Sequence, residues 1–346
     1  MMSLNTKKSV PDEISGKVKI LLAFYSFAEV IKYVKLPVST IQHLINHPNY
    51  LTYKIPKKKG GYRDIFAPDT ELKFVQTLLN ELLQAYYFLI KPSVVNGFVI
   101  NPLKDVRSCN ILANASPHAG KKYVLNVDLK DFFPSISAKR ILELLMSPVF
   151  KYEEHLATAI TLLLTYKGQL PIGAPSSPVL SNFICLQLDK ALIAYAQDNQ
   201  LIYTRYADDL TFSSDCLISE VHLQELTKLI EGNDFKVNNK KVRLSTSSSK
   251  QTVTGLTVNE KPNVDRKLLK KIRAMLHDLT TNGLLRASMH HFKAKKSISE
   301  AAQTKFMNKL EGYINFVGQI RGKEDALYHR YKTDFRKQVV LMRSII

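Results

Sequence analysis

Apolar residues at positions 72, 75, 78, 79, 82, 83, 86 and 87 fall on one side of a helix, which predicts an amphipathic packing helix over Leu72–Leu89. Ahead of it, residues 1–50 read as helical, with Ile20–Phe27 as an apolar helical segment. Tyr53–Pro68 reads instead as two strands around a Lys/Gly turn. A further β-rich run spans Tyr123–Asp128, and Pro134 beyond it is a stop signal. Leu201–Tyr206 and Leu210–Phe212 predict two short strands joined by a tight turn that carries Asp208 and Asp209. Val221–Ile230 is helical, and Val253–Val258 is a β-run broken by Gly255, which predicts a close backbone approach or a bulge. Two more helices follow, Arg266–Leu276, with bases interleaved on an apolar face, and Leu310–Val317. Strands between groups of helices give an α+β class.

Composition narrows this to a soluble globular chain: 346 residues, 45% hydrophobic, with no apolar run of membrane-spanning length. Met1–Lys19 carries charges and Pro11 where a signal peptide needs an apolar stretch, so the expected location is cytoplasmic. Cys109, Cys185 and Cys216 are widely spaced, without a metal-ligand pattern, and are expected as reduced thiols. The net charge of +19 points to a polyanionic partner, nucleic acid before membrane. From Lys261 onward there are 19 Lys/Arg against 7 Asp/Glu, so this tail carries +12 of the total.

Candidate chemistry starts from Asp208 and Asp209. Adjacent acids on a rigid hairpin tip repel each other unless a positive charge sits beside them, and a hard divalent cation is the usual solution. The pair alone reads rather as an ordinary Asp-rich hairpin turn. A third acid, Asp128, changes that balance. At the end of its own strand, facing the hairpin, it completes the arrangement of a two-metal phosphoryl-transfer site. Asp131 is read as a solvated or structural carboxylate.

Tyr206-Ala-Asp-Asp209 resembles the Tyr-X-Asp-Asp box of reverse transcriptases, and Asp128-Leu-Lys-Asp-Phe-Phe-Pro-Ser-Ile136 resembles their first palm motif. Gln169–Asn182 is similar to their glycine-proline loop leading into a helix, with Ile172 where the family usually has glutamine. Phe235–Val242 resembles the motif that ends in an asparagine and a lysine, here Asn238 and Lys241, and Asn96-Gly-Phe98 resembles a short finger motif. Asn114-Ala-Ser-Pro-His118 and Val253-Thr-Gly255 are similar to signatures of the bacterial retron branch.

The resemblance implies a right-hand polymerase: a helical N-terminal segment (1–50), fingers (51–120), an antiparallel-sheet palm (121–260) and a basic helical thumb (261–346). It implies two Mg²⁺ ions on Asp128, Asp208 and Asp209, with Lys241 (or Lys240 if the register slips) at the leaving pyrophosphate. Arg63 is the implied triphosphate contact, with Lys54 and Lys57–Lys59 as weaker candidates. Phe133 is implied under the sugar, excluding a 2′-OH, while Phe132 packs in the core because neighbours on a strand face opposite ways. Gly173 is implied to allow backbone approach to the nucleotide and template. Asn114 and His118, with Lys270, Lys271 and Arg273 of the thumb, are implied to meet RNA.

The implied reaction is DNA synthesis from dNTPs on a dedicated structured non-coding RNA that serves as both template and primer. The product is single-stranded DNA branched from an RNA 2′-OH, with a role in anti-phage defence beside an effector protein and no membrane partner. No RNase H or endonuclease domain is expected after the thumb. Two other readings stay open: an intron-type reverse transcriptase, and a nucleic-acid-bound scaffold that restrains an effector.

Overall fold

The structure, a computed structural model, describes residues 12–57, 60–100, 109–294 and 297–343. Its chain forms two compact units, one of residues 1–114 and 123–244, the other of residues 115–122 and 245–346. Lys58 and Lys59, two of the candidate finger lysines, lie outside the described residues.

The first unit opens with α1 (Asp12–Leu22), α2 (Phe27–Val34) and α3 (Val38–Asn46). Ile20–Phe27 is therefore not one helix. Ser26 starts α2 with a capping box in which Glu29 reaches back to the Ser26 backbone N–H at 3.1 Å, so capping outweighs the apolar run. β1 (Tyr50–Pro56) and β2 (Tyr62–Pro68) form an antiparallel hairpin in the register Lys54↔Asp64 and Ile55↔Arg63. Asp69 caps α4 (Thr70–Ile90) by accepting from Leu72 N at 2.9 Å, and Leu72, Val75, Leu79, Leu82 and Leu83 of α4 enter the core. After α5 (Ile111–Ala115), β3 (Tyr123–Asp128) runs through the core.

Next come α6 (Ala138–Met146), α7 (Glu154–Leu164), α8 (Ser177–Ile184) and α9 (Leu186–Asp198). β4 (Ile202–Tyr206), β5 (Asp209–Ser214), α10 (Glu220–Glu231) and β6 (Arg243–Thr246) complete a four-stranded sheet in the order β4-β5-β3-β6. Asp209 pairs with Tyr206 across the hairpin and with Asp128 on β3. Asp209 is thus the first residue of β5 rather than a turn residue, and the turn is Ala207–Asp208 alone. Phe132 and Phe133 lie in a turn after β3, not on a strand. Phe132 is still buried, through packing on Phe235. Among the described residues no single helix is long and apolar enough to cross a membrane, and the bent pair α8–α9 lines the core.

A fully buried ion pair ties the helices to the sheet. Arg205 on β4 and Asp189 on α9 both have 0% side-chain exposure and meet through two bonds, Nε–Oδ1 at 2.8 Å and Nη2–Oδ2 at 2.7 Å. Tyr203 OH donates to the same Asp189 Oδ1 at 2.9 Å.

In the second unit, β7 (Thr252–Val253) and β8 (Leu256–Thr257) pair around Thr254–Gly255, both with positive φ. Gly255 therefore serves a tight hairpin turn, not a bulge or a close approach, and a Cβ there would meet open space. Three helices pack together: α11 (Arg266–Phe292), interrupted at Gly283, α12 (Glu300–Arg321) and α13 (Ala326–Arg343). Their shared core includes Leu269, Ile272, Phe306, Leu310, Ile314 and Phe335. The sequence pattern gave no sign of α13.

Removing one member of the buried ion pair strands the other's charge. Asp189→Asn should lower unfolding stability by about 3–5 kcal/mol. The exposed Lys54–Asp64 pair supplies a control, since Asp64→Asn should cost less than about 1 kcal/mol. Denaturant midpoints measure both, and equal midpoints for Asp189→Asn and wild type would contradict the assignment.

Candidate active site

The site is built at the sheet end where β3 stops and β5 begins. Cross-strand pairing sets Asp128 opposite Asp209, and Leu129 N donates to Asp208 O at 3.0 Å, which fixes the turn against the end of β3. From the segment after α10, Asn238 N donates to Asp128 O at 2.8 Å, and its Nδ2 donates to Asp128 Oδ2 at 3.1 Å. Lys241 Nζ bonds Asp128 Oδ1 at 2.6 Å, so Lys241 rather than Lys240 is the lysine that reaches the carboxylates. Its side chain is 50% exposed against 9% for Asp128, leaving the lysine room to move while the acid is held.

The electrostatics are dominated by crowding of like charge. Burial, then the neighbouring Asp128, pushes the Asp208 carboxyl up, with Lys241 and Arg63 pulling against that. Burial, then Asp208 and Asp128, pushes Asp209 up to about 6. Burial opposes the charge on Lys241, but the bond to Asp128 and the field of all three acids outweigh it and raise its pKa. One lysine against three acids leaves a net negative, all-oxygen donor set, which suits a hard divalent cation. Both Asp128 oxygens are already engaged, and among the described residues no three ligating side chains close around an ion as they stand.

The turn is held from below. Arg205 Nη1 donates to Ala207 O at 3.2 Å and to Asn182 Oδ1 at 2.9 Å, linking the buried ion pair to the backbone between Tyr206 and Asp208. Gly97 packs against the same turn: a Cβ there would lie 2.8 Å from the Tyr206 carbonyl carbon and closer still to Ala207 N, so only glycine fits. Asp189, Arg205 and Asn182 were not anticipated as site residues. The available signal was an arginine inside an otherwise β-type, half-apolar strand, and an aspartate on an apolar helix.

The other candidates fall in different places. Arg63 is exposed on β2, and its charge is felt at Asp208. Lys54 pairs with Asp64. Gly173 has φ 122°, and a Cβ there would lie 2.9 Å from both Ile65 Cγ2 and Phe66 O. The close approach it permits in this structure is to β2, where Phe66 N also donates to Ile172 O at 2.7 Å. Phe133 is half-buried, its ring 5.7 Å from that of Phe98. Lys270, Lys271 and Arg273 are exposed on α11, with Lys271 bonded to Tyr313 OH at 3.3 Å.

Asn114 and His118, the candidates from the signature ahead of β3, are both fully buried. In the first unit Asn114 accepts from Asn96 Nδ2 at 3.4 Å, and its carbonyl accepts from Thr204 Oγ1 at 3.3 Å. In the second unit burial pushes the His118 imidazole down to about 3, so it is neutral. Both side chains are enclosed in the folded chain.

Three acids at the end of an antiparallel sheet, with a lysine on one of them, define the palm of a nucleic-acid polymerase. The reverse transcriptase (RNA-dependent DNA polymerase) family model matches residues 55–258. The chain is 32% identical to the Retron Ec86 reverse transcriptase of Escherichia coli, over 85% of this chain and 90% of that protein. It is also 32% identical to the Retron Mx65 reverse transcriptase of Myxococcus xanthus, over 79% and 67%. With the Retron Mx162 reverse transcriptase of Myxococcus xanthus the identity is 34%, over 66% of this chain and about half (52%) of that one. The chain belongs to the reverse transcriptases, RNA-directed DNA polymerases of right-hand fold, and among them to the bacterial retron enzymes.

A raised Asp209 pKa means that the folded protein holds a proton which the unfolded chain, near 3.8, has released. The stability it contributes is present at low pH and lost as pH rises through about 4 to about 6. Asp209 keeps a solvent-facing side at the strand end although protein crowds the rest of its carboxyl, so solvent screening tempers the size of the effect. The Tm of cation-free wild type should therefore fall across that window relative to Asp209→Asn, and added divalent cation should remove the fall. A difference between the two proteins that stays flat with pH would contradict the charge balance described here.

Proposed function

We propose that this chain copies part of a dedicated, folded non-coding RNA into single-stranded DNA, starting from a 2′-hydroxyl of that RNA. The observation that carries this reading is the convergence of Asp128, Asp208 and Asp209 beside Lys241. Its retron-specific part rests on the similarity to retron enzymes. Asp208 and Asp209 would hold two Mg²⁺ ions, joined by Asp128 once Lys241 releases its oxygen. When bound, the cations lower the pKa of the attacking hydroxyl and neutralise the triphosphate.

The protein's own groups divide the remaining work. Arg63, on the exposed hairpin, binds the incoming triphosphate. Lys241, freed from Asp128, stabilises the departing pyrophosphate. Phe133 lies against the sugar and excludes a ribose 2′-OH, which makes dNTPs the substrates. Gly173 keeps the loop before α8 pressed against β2, where a side chain would separate them. Lys270, Lys271 and Arg273 neutralise RNA phosphates, and selection of one transcript comes from the shape of its folded stem-loops. The reading extends to a part in anti-phage defence beside an effector protein, which rests on the retron resemblance alone.

The test has an in vitro arm and a cellular arm. Mg²⁺-dependent dNTP incorporation on an RNA template should fall about a thousandfold or more in folded Asp208→Asn. Near-normal incorporation by that variant would contradict the metal assignment. DNA made in cells with the neighbouring RNA gene present should carry a 5′ end that debranching enzyme releases. A 3′-OH-primed product in every clone would overturn the retron reading and leave the polymerase intact.

A further inference from the structure

Asn96-Gly97-Phe98 has no part in the chemistry above, yet it touches both the carboxylate turn and the residue assigned to the sugar. Val95 bridges to Arg205 in parallel, and Asn96 N donates to Arg205 O at 2.9 Å, so the segment lies along β4. Gly97 then packs under Tyr206 and Ala207, and its carbonyl accepts from Asn182 Nδ2 at 3.0 Å. Phe98 follows in the left-handed region, with φ 59°, a conformation that a bulky aromatic residue rarely adopts. Such backbone persists only where its surroundings fix it. Here Gln84 Nε2 donates to Phe98 O at 3.2 Å while Gln84 Oε1 accepts from Ile100 N at 3.1 Å, which holds the segment from the bend onward, as Asn182 holds it just before.

What this bend delivers is a ring position. The Phe98 ring centroid lies 5.7 Å from that of Phe133, tilted by 39°. Phe133 also meets Phe132 at 5.4 Å, and Phe132 is itself stacked on Phe235 at 5.8 Å. Phe133 sits in a turn, without a strand ladder to fix its backbone. Its ring is therefore held by its two aromatic neighbours. One of these, Phe132, is anchored in the core. The other, Phe98, is anchored through the strained bend to the same backbone that carries Asp208 and Asp209.

We propose that Phe98 is a positioning residue for sugar selection, holding the Phe133 ring where it collides with a ribose 2′-OH. The proposal rests on the reading of Phe133 as the residue against the sugar. Exclusion of a hydroxyl by bulk works only if the bulk cannot yield. Without the Phe98 ring a cavity opens behind Phe133, and the Phe133 ring can turn into it. Because Gly97 packs on Tyr206–Ala207, sugar exclusion and placement of the carboxylates depend on one segment.

The experiment compares kcat/KM for a dNTP with that for the matching rNTP, on one RNA template, in full-length protein. Phe98→Ala should lower that ratio by about tenfold or more, the scale of a missing packing group in a selective pocket. Phe98→Leu, which refills much of the space, should recover most of the selectivity. In a Phe133→Val background, Phe98→Ala should add nothing, because the ring it positions is gone, whereas a general loosening of the fold would add independently. An unchanged ratio in Phe98→Ala, with Phe133→Val alone lowering it, overturns the proposal and leaves the Phe133 reading standing. An unchanged ratio in Phe133→Val overturns both. Should Phe98→Ala not fold, Phe98→Leu decides: a small loss of selectivity that vanishes in the Phe133→Val background supports the proposal, whereas an unchanged ratio, or a loss that adds to that of Phe133→Val, overturns it.

Discussion

The bidentate pair between Arg205 and Asp189 is the constraint on which the catalytic geometry depends. A fully buried ion pair is a poor source of net stability, because desolvating both charges offsets their attraction. Its worth here lies in direction. Asp189 takes Nε and Nη2 and so fixes the guanidinium plane, and the remaining nitrogen, Nη1, points at Ala207 O and Asn182 Oδ1. Ala207 itself has φ 58°, a conformation its side chain does not favour, and is hemmed in by Gly97. Helices α8 and α9 and strand β4 thus converge on the guanidinium that holds one carbonyl beside Asp208. The sheet then places Asp128 opposite Asp209 without any further device.

Rigidity below the turn meets electrostatic tension above it. Three acids share a corner with one lysine, and Asp208 and Asp209 hold their protons more tightly than usual because of burial and then the neighbouring acids, Asp128 for the first and both others for the second. Folding brings these charges together against their repulsion, and the frame that Arg205 supports is what keeps them there. A site of this kind gains when a divalent cation binds, since the cation removes a repulsion that the fold enforces. Lys241 is the partial substitute: it holds Asp128 at 2.6 Å, yet it is exposed enough to leave.

The strands and helices nearest the chemistry were legible because their signals are local. Six-residue β-runs, a helical apolar stripe and a turn rich in acids predict β3, α4 and the β4–β5 hairpin without reference to anything distant. Three kinds of feature were not legible. Asp209 reads as a turn residue because Asp is poor in strands, whereas its pairing with Asp128 extends β5 by one residue. Asn114 and His118 match a family signature, but a signature carries no burial, and both side chains are enclosed. Arg205 gives no local sign of its burial, because Asp189, its partner, stands on another element. Only the break at Ser26 was written locally and outvoted: the serine and Glu29 of its capping box stand three residues apart inside a run that looked continuously apolar.

In the proposed function, Asp128, Asp208 and Asp209 form one cation-binding corner in which Lys241 competes for Asp128. Binding of Mn²⁺ to the nucleotide-free protein, followed by loss of the free-ion electron paramagnetic resonance signal, tests this most directly. Asp128→Asn and Asp208→Asn should each weaken binding, by about tenfold or more for a lost carboxylate ligand. Lys241→Ala should tighten it, because it frees an Asp128 oxygen and removes a positive charge from the corner. Undiminished binding in both aspartate variants, or weaker binding in Lys241→Ala, would contradict the account.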